Sequence, residues 1–555
     1  MKKSKNVLMV QPASAGGNFE YVAIPRQGLL FLSQALKQHN NNGNGSFNYG
    51  TRIWFEERFE EIDPRADLHG VDILMISALI NEAPRGYQIA REARAHHPEL
   101  VIIGGGPHMS PLSEEALAQG FDAIVNREGE DIIGHLCDVL LTHNGNNRYS
   151  YLARIPGISY LLDGNLTQTK RTGLVDPGFS RVPDFDAIEA LSPGTPLMGG
   201  VIETTRGCTE KCTYCQVIQQ FLGYRLVARD VELARLDQLQ KLAADGIIHA
   251  SRKGEFSIFI SDDLHPPPLR VVKYRDERLA RLKAWKGRTN NMYMTCQART
   301  EIAEDPELGN AMLEAGIRML YLGVESDNAE NLNIVKKRQQ PGDVDRHLHK
   351  LREMGFKIVA MTIIGLPYDT EKSIMNMADW VSEVSDWQTA NFLTPLPATS
   401  NWLLPPLAAD GSELPSDEQG NVPPEIGMRP YHLYTGRQLV HKDERWTMAA
   451  SRELYDQYSA KLNPVDDFYK SILGASIIVH ARKWAAYIAP FFSANPSLAE
   501  QVKQAISRPS QARLEDLRRL LAQETASNSI SKTLSEGVRL VKSFTHLHGY
   551  APARR

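Results

Sequence analysis

The strongest constraint on the fold is an alternation of short apolar segments with helix-like segments, which occurs twice along the 555-residue chain. In the first series the apolar segments are NVLMVQP, TRIWFEE, VDILMISAL, LVIIGGG and DAIVN. Segments of helical periodicity lie between most of them. Buried strands separated by helices specify a parallel sheet with helices on both faces. We therefore expect a doubly wound α/β domain, Rossmann-like in topology, in residues 1–150.

The second series begins at residue 200 with GVIETT and continues with EFSIFIS, NMYMTCQA, IRMLYLGVE, KIVAMTIIG and WQTANFLTP. Six β/α units without a closing strand predict a partial (β/α)6 barrel over residues 198–403, with ligands at the carboxyl ends of its strands. Between the two series, ISYLLDGNLTQT predicts a hairpin within a linker, residues 151–197. The remaining residues, 404–555, predict a mainly helical domain that covers the substrate cavity.

Composition narrows the class of protein. Hydrophobic residues make up 42% of the chain, charged residues 23%, and the net charge is −4, as in an ordinary globular protein. This near-neutral net charge argues against nucleic acid as the main partner. The short basic run Lys336-Lys337-Arg338 is expected on a solvated face. The first apolar run ends at Pro12, so it predicts a strand, not a signal peptide. We expect a cytoplasmic protein without a transmembrane segment.

Three of the five cysteines lie within TTRGCTEKCTYCQV, as Cys208, Cys212 and Cys215. A structural zinc site needs four ligands, usually in two pairs, and no second pair accompanies this one. Thiolates also hold iron–sulfur clusters, where three ligands leave one iron open. The trio therefore predicts such a cluster, with a three-ligand zinc site as the alternative. Cys137 and Cys296 stand alone and are expected to be buried packing residues.

This spacing, directly after the first strand of a β/α series, resembles the radical S-adenosylmethionine (SAM) superfamily. The resemblance implies a [4Fe–4S] cluster on the three cysteines, whose open iron binds SAM. Reduction by an external donor of the flavodoxin or ferredoxin type then yields a 5′-deoxyadenosyl radical, which abstracts hydrogen from a substrate. Positions matching the superfamily's SAM contacts lie in the cysteine loop and at later strand ends: Tyr214, Asp262, Asp263, Gln297, Glu325, Ser326, Ile364 and Gly365.

In the first series, IIGGGPHMS lacks the dinucleotide pattern Gly-x-Gly-x-x-Gly, because Met109 occupies its last position. With DAIVNREGED, this segment is similar to the cobalamin-binding domain fused to many radical SAM enzymes. That likeness implies cobalamin contacts at Ser77, Leu79, Gly104, Gly105, Gly106, Pro107, His108, Glu128 and Gly129. The loop after the first strand has no Asp-x-His-x-x-Gly, so a histidine lower ligand to cobalt is not expected. His108 is expected to bond the nucleotide tail or backbone.

The combination resembles hopanoid-modifying enzymes and the anaerobic magnesium-protoporphyrin ester cyclase. It implies a cobalamin-dependent methyltransferase that places a methyl group on an unactivated carbon of a small-molecule or peptide substrate; no residue is assigned as catalytic. Two alternatives stay open: a cyclase or oxidase without methyl transfer, and a radical SAM enzyme that has lost cobalamin. A tRNA methylthiotransferase would need three cysteines before residue 200, where Cys137 is the only one. A non-enzymatic cobalamin or metal sensor, in which the barrel is relict, would not need the full set of strand-end motifs. Five later aromatic residues are more typical of core than of pocket: Trp402, Trp446, Tyr455, Phe468 and Tyr469.

Overall fold

A computed structural model describes residues 2–14, 25–43, 45–58, 61–143, 145–193, 196–251, 253–266 and 272–462. Most of the helical region expected after residue 404 therefore lies outside the described residues, together with Phe468 and Tyr469. No helix in the described part of the chain is long and apolar enough to cross a membrane.

The first sheet has seven strands in the order β2-β1-β3-β4-β5-β6-β7, and β1 to β5 are parallel. Their bounds are Lys3–Gln11, Phe47–Phe55, Ile73–Ser77, Val101–Gly105, Ala123–Val125, Ile158–Leu162 and Asn165–Gln168. The order reverses between β1 and β3, which is where doubly wound sheets bind ligands. The expected hairpin is β6–β7, and it pairs antiparallel with β5. The first sheet thus continues to residue 168, beyond the expected boundary at 150.

Helices cover both faces of this sheet, as the alternation predicted. They are α1 Gln27–Asn41, α2 Ala83–His96, α3 Gly106–Met109, α4 Ser113–Leu117, α5 Ile133–Thr142 and α6 Gly145–Leu152. One apolar core contains the buried residues of α1 and α5, and another contains those of α2. Cys137 is fully buried on α5.

The second sheet is parallel and open, in the order β15-β14-β13-β12-β11-β8. Among the described strands, β8 and β15 form its two edges, so the expected partial barrel of six strands does not close. A separate two-stranded ladder, β9–β10, stands beside it. The bounds of β8 to β15 are Gly200–Ile202, Thr205–Arg206, Arg225–Leu226, Phe256–Ile260, Met292–Ala298, Ile317–Glu325, Lys357–Ile364 and Trp387–Phe392.

The helices of this part are α7 Val217–Gln220, α8 Arg229–Ala244, α9 Val272–Trp285, α10 Pro306–Glu314, α11 Ala329–Ile334, α12 Pro341–Glu353 and α13 Glu371–Val384. The larger ones follow an apolar stripe: in α12, for example, Val344, Leu348 and Leu351 are fully buried while the opposite face is charged. Cys296 is fully buried on β12, as expected.

After β15 the chain crosses back to the first sheet. Trp402 and Tyr431 are buried in the same core as α2, and α14 (Met448–Ala460) packs on α13. Trp446 and Tyr455 belong to the core beneath α13. The three described members of the aromatic set are therefore core residues. In the described residues from 404 to 462, α14 is the one α-helix, so little of the expected helical domain is seen.

Candidate active site

The three cysteines lie in a loop, residues 207–224, between β9 and β10 beyond the carboxyl end of β8. We call it the cysteine loop. The β9–β10 ladder pairs Arg206 with Arg225 and Leu226 with Thr205, so both ends of the loop are held together. Gly207 begins the loop with φ +84°, and a Cβ there would strike the carbonyl oxygen of Gly223. Glycine is therefore required at this position both for conformation and for space.

The three thiols are free and lie within electrostatic reach of one another. Burial raises the pKa of Cys215 to about 12 and raises the pKa of Cys208 and Cys212, so all three are neutral unless a metal binds. The Sγ atom of Cys208 also accepts the Glu210 amide at 3.4 Å. Within the described ranges, no three His, Cys, Asp or Glu side chains converge closely enough for one metal ion.

Tyr214 is tied to the end of β13. Its hydroxyl donates to Oε1 of Glu325 at 2.8 Å, and the same oxygen pairs with Nζ of Lys337 at 2.6 Å. Glu325 has φ +63°, and the β13–β14 register shifts at this point. Gly323 leaves the space that this ion pair needs, since a Cβ would collide with both Oε1 of Glu325 and Nζ of Lys337. Burial opposes charge on Lys337, but Glu325 raises its pKa above the ordinary value.

The two adjacent aspartates at the end of β11 have different environments. Asp262 is fully buried and accepts hydrogen bonds from the Thr204 and Thr205 amides, at 2.6 and 2.8 Å, while Nδ1 of His265 lies 2.8 Å away. Burial would raise the pKa of Asp262, but His265 and its other partners hold it below the ordinary value. Asp262 has no exposed surface and fixes the strand that leads into the cysteine loop. Its expected contact with SAM stays a prediction.

Asp263 is the aspartate with partial exposure, and it lies beside the cysteines. It accepts the Gly207 amide at 3.2 Å. Burial, with further contributions from Glu203 and Asp262, raises the pKa of Asp263 to about 7.

The other expected SAM contacts also divide into two groups. Gln297 keeps partial exposure at the end of β12. Ser326 is buried, and its Oγ accepts the amide of Asn328 at 3.1 Å ahead of α11. Ile364 is fully buried against Phe392, and Gly365 (φ +81°) passes so close to that ring that a Cβ would overlap it. The side chains of Ser326 and Ile364 are therefore used in the fold itself.

The expected cobalamin contacts lie at the carboxyl edge of the first sheet. Ser77, Leu79, Gly105, Gly106 and Pro107 are partly exposed there. Gly106 has φ +89°, and a Cβ would meet Oγ of Ser77 at 2.7 Å, so the loops after β3 and β4 are in contact. Gly104 and Gly129 are buried, and a Cβ on either would overlap apolar side chains.

His108 and Glu128 have other partners. The His108 ring is buried, 4.5 Å from the Tyr431 ring between centroids, and its Nε2 lies 3.5 Å from Glu115. It packs at the contact with the returning chain, and neither of its ring nitrogens has a hydrogen-bond partner among the described residues. Its expected hydrogen bond to the nucleotide tail or backbone stays a prediction. The Glu128 carboxylate pairs with Arg206 at 2.6 Å and with Arg225 at 3.0 Å, which leaves its backbone as the part that can face a ligand.

The loops after β4 and β5 contact the cysteine loop directly. Nε2 of Gln216, next to Cys215, donates to the Pro107 carbonyl at 2.6 Å. Nε of Arg127 donates to the carbonyl of Gln219 in α7 at 2.8 Å. These contacts place the carboxyl edge of the first sheet against the cysteine loop.

A buried charge network reinforces this contact. Arg206, two residues before Cys208, is 4% exposed and pairs with Glu203, Glu128 and Glu130 at 2.6 to 2.8 Å. Arg225 and Arg235 pair with Glu128 and Glu203. Three arginines thus balance three glutamates. Sequence analysis did not find this network, although Glu203 and Arg206, in ETTRGC, are opposite charges three residues apart at that strand end.

Comparison with known proteins agrees with this geometry. The radical SAM superfamily profile matches residues 202–381, and the B12 binding domain profile matches residues 25–136. The chain contains a radical SAM domain and a B12-binding domain. The radical SAM profile spans β11 to β14 of the second sheet, and the B12-binding profile spans β2 to β5 of the first.

Among curated relatives of this chain, an uncharacterized methyltransferase of Pyrococcus horikoshii is 23% identical over 342 residues, which are 60% of this chain and 68% of that protein. The hopanoid C-3 methylase of Methylococcus capsulatus is 23% identical over 327 residues, 58% of each chain. This chain thus spans between half and about two thirds of the relatives it matches.

A solved structure shares the fold. The radical SAM methyltransferase TsrM from Kitasatospora setae, with cobalamin and a [4Fe–4S] cluster bound, superposes with a TM-score of 0.59 at 16% identity. The superposition covers 83% of this chain and 90% of TsrM.

The radical SAM domain implies a [4Fe–4S] cluster and SAM, and the B12-binding domain implies cobalamin. The residues present fit these groups. Three free thiols and the partly exposed Tyr214 lie in the cysteine loop, and the partly exposed Asp263 lies beside them at the end of β11. On the first sheet, the exposed backbone at Gly105, Gly106 and Pro107 lets a large planar group approach closely. A histidine lower ligand to cobalt would lie in the loop after β1. The structure describes this loop to residue 14, and residues 12–14 contain no histidine.

Proposed function

We propose that this protein is a cobalamin-dependent radical SAM methyltransferase that acts on an unactivated carbon of a small molecule or peptide. The observation that supports it best is the 2.6 Å hydrogen bond from Gln216 to Pro107, which joins the two cofactor loops. Methyl transfer to a substrate radical needs both cofactors to line one cavity from which water is excluded. The relatives named as methyltransferases support the same reaction class.

In this proposal Cys208, Cys212 and Cys215 hold the cluster, while Tyr214, Asp263, Gln297 and Glu325 face SAM. When bound, the cluster and SAM supply a 5′-deoxyadenosyl radical and cobalamin supplies the methyl group. The chain's own task is positioning. Asp262 holds the strand before the cysteine loop, and the Glu325–Lys337 pair holds the Tyr214 hydroxyl.

The first sheet would carry cobalamin at its carboxyl edge through Ser77, Leu79, Gly105, Gly106 and Pro107. At that edge, the Pro107 carbonyl accepts a hydrogen bond from Gln216 of the cysteine loop. We propose that the residues after 404 complete the cavity and that the electron comes from a separate flavodoxin- or ferredoxin-type protein.

The test is anaerobic turnover of the reconstituted full chain with SAM and candidate substrates. Release of 5′-deoxyadenosine that disappears in Cys212→Ala supports the radical step. A product heavier by one methylene group supports methyl transfer, whereas a product that has lost hydrogens supports the cyclase alternative. Release of 5′-deoxyadenosine without any need for added cobalamin would favour the alternative in which the first domain serves as scaffold.

A further inference from the structure

The run Lys336-Lys337-Arg338 is divided between the interior and the surface. Lys337 is 12% exposed and forms the ion pair with Glu325, so the expectation that it lies on a solvated face is wrong. Lys336 and Arg338 are exposed, as expected. Both have left-handed backbone conformations, φ +56° and +54°, which turn the chain sharply on each side of Lys337. Positive φ in side-chain-bearing residues is uncommon, and two such residues flank one buried cation here.

This segment lies directly against the cysteine loop. The Thr213 amide, between Cys212 and Tyr214, donates to the Val335 carbonyl at 3.2 Å. Arg299 donates to the carbonyls of Lys337 and Arg338 at 3.2 and 2.9 Å, and its guanidinium also lies 3.5 Å from Glu210. Residues 210–213 and 335–338 are therefore adjacent segments of one surface.

Three exposed cations occupy that surface: Lys211 from the cysteine loop, with Lys336 and Arg338. We call these three residues the basic patch. None of them has an ion-pair partner among the described residues. Of the carboxylates near the patch along the chain, Asp343 pairs with Arg346 and Glu210 lies against Arg299, while Glu330 of α11 is exposed. Three cations beside one such carboxylate leave the patch with a net positive charge.

Two exposed hydrophobic side chains lie beside the patch. Ile334, at the end of α11, is 43% exposed, and Tyr368 is 50% exposed. Tyr368 is held close to α11 because its amide donates to the Asn331 side chain at 3.0 Å. Large exposed apolar residues next to unpaired charge are typical of a surface that binds another protein transiently.

We propose that the basic patch, with Ile334 and Tyr368, is the docking surface for a small acidic one-electron carrier protein. This inference rests on the proposed function, because it assumes a cluster on the cysteines beneath the patch. The reduced carrier loses one electron and the oxidised cluster gains it; no bond or proton is exchanged. The chain as a whole carries −4, so cations gathered at this one place steer an acidic partner to the cysteine loop in particular.

The test compares a double charge reversal, Lys336→Glu with Arg338→Glu, with a reversal of two exposed lysines elsewhere, Lys283→Glu with Lys286→Glu, called the α9 variant. Lys283 lies on α9 and Lys286 directly follows it; they are 64% and 71% exposed and belong to the connection between β11 and β12. Binding of an acidic flavodoxin to the purified full chain is measured at low and high salt. Cluster reduction is then followed by stopped-flow absorbance, with reduced flavodoxin or with dithionite as the donor.

We expect the patch variant to bind flavodoxin at least tenfold more weakly at low salt, with the difference shrinking at high salt. Its cluster should be reduced at least tenfold more slowly by flavodoxin but at the wild-type rate by dithionite, while the α9 variant matches wild type. Equal binding by both variants would overturn the inference. If the wild-type chain forms no cluster at all, the proposed function fails instead, and the binding result stands separately.

Discussion

Nε2 of Gln216 lies 2.6 Å from the carbonyl oxygen of Pro107 and 2.9 Å from that of Pro397. One amide therefore joins the cysteine loop, the glycine-rich loop of the first sheet and the segment that follows the last strand of the second sheet. Because Gln216 directly follows Cys215, its hydrogen bonds set the position of the proposed cluster relative to the proposed cobalamin site.

Replacement of Gln216 by leucine should separate cofactor binding from turnover. The three thiols and the exposed glycine backbone are untouched, so iron and corrin contents should stay at wild-type levels. Product formation should fall by about tenfold to a hundredfold, because a displacement of about 1 Å between reacting groups has effects of this size. Gln219→Leu, which changes an exposed side chain on α7, the short helix that directly follows Gln216, is the control. Full activity in Gln216→Leu would contradict this role.

Gly323 should be intolerant of even a methyl group. A Cβ there would overlap the ends of the Glu325 and Lys337 side chains, which are only 9% and 12% exposed and can move aside only by breaking their ion pair. Gly323→Ala should therefore lower the free energy of unfolding by about 1–3 kcal/mol. Chemical denaturation measures the change. Gly342→Ala is the matched control, since a Cβ at that helical position meets nothing within 4 Å and should be neutral or slightly stabilising. Equal stability of the two variants would show that the pair does not need the space.

The sequence predicted the strands, the open second sheet and the cysteine loop because each depends on local patterns of a few residues. It did not predict which strand-end side chain faces the site. Asp262 and Asp263 are neighbours with the same chemistry, yet the structure buries Asp262 against Thr204 and leaves Asp263 beside the thiols. That choice follows from which way each residue points in the folded chain.

Long-range pairing was also beyond sequence patterns. Arg206 and Glu128 are 78 residues apart, and neither looks unusual in its own segment. Lys337 lies in a run of three cations. It differs from its two neighbours because its ammonium group pairs with Glu325. Such pairs form because a buried charge must find a partner in the folded chain.

Removal of Arg206 should be strongly destabilising. Arg206→Met leaves Glu203, Glu128 and Glu130 buried against only two arginines, and breaking a buried pair in this way costs about 3–5 kcal/mol. Arg181→Met, which removes an exposed pair with Asp230, should leave the free energy of unfolding close to the wild-type value. Urea denaturation distinguishes the two. Adding Glu128→Gln to Arg206→Met should recover part of the loss; a purely additive double variant would show that the two residues do not interact.

Asp369 should make stability depend on pH. Its buried carboxyl accepts the Leu366 amide at 2.9 Å and the Asn331 side chain at 2.6 Å. Burial raises its pKa from 3.8 to about 6. Because the folded state holds this proton more tightly than the unfolded state, the contribution of Asp369 to stability falls as the pH rises from 4 to 6 and stays low above that.

Asp369→Asn keeps a neutral side chain at every pH. Relative to wild type, it should gain unfolding free energy above pH 6, by at most about 3 kcal/mol, and the gain should vanish near pH 4. Denaturation curves of both proteins across this range measure the difference. A gain that is the same at all pH values would contradict the raised pKa.

The most direct test of the central claim is electron paramagnetic resonance of the full chain, reconstituted anaerobically with iron, sulfide and cobalamin and then reduced until both cofactors are paramagnetic. If the two cofactor loops meet as Gln216 and Pro107 indicate, the cob(II)alamin signal should be broadened by the nearby cluster. The broadening should disappear in Cys212→Ala while the corrin stays bound. A bound corrin whose signal is identical with and without the cluster would contradict the shared site.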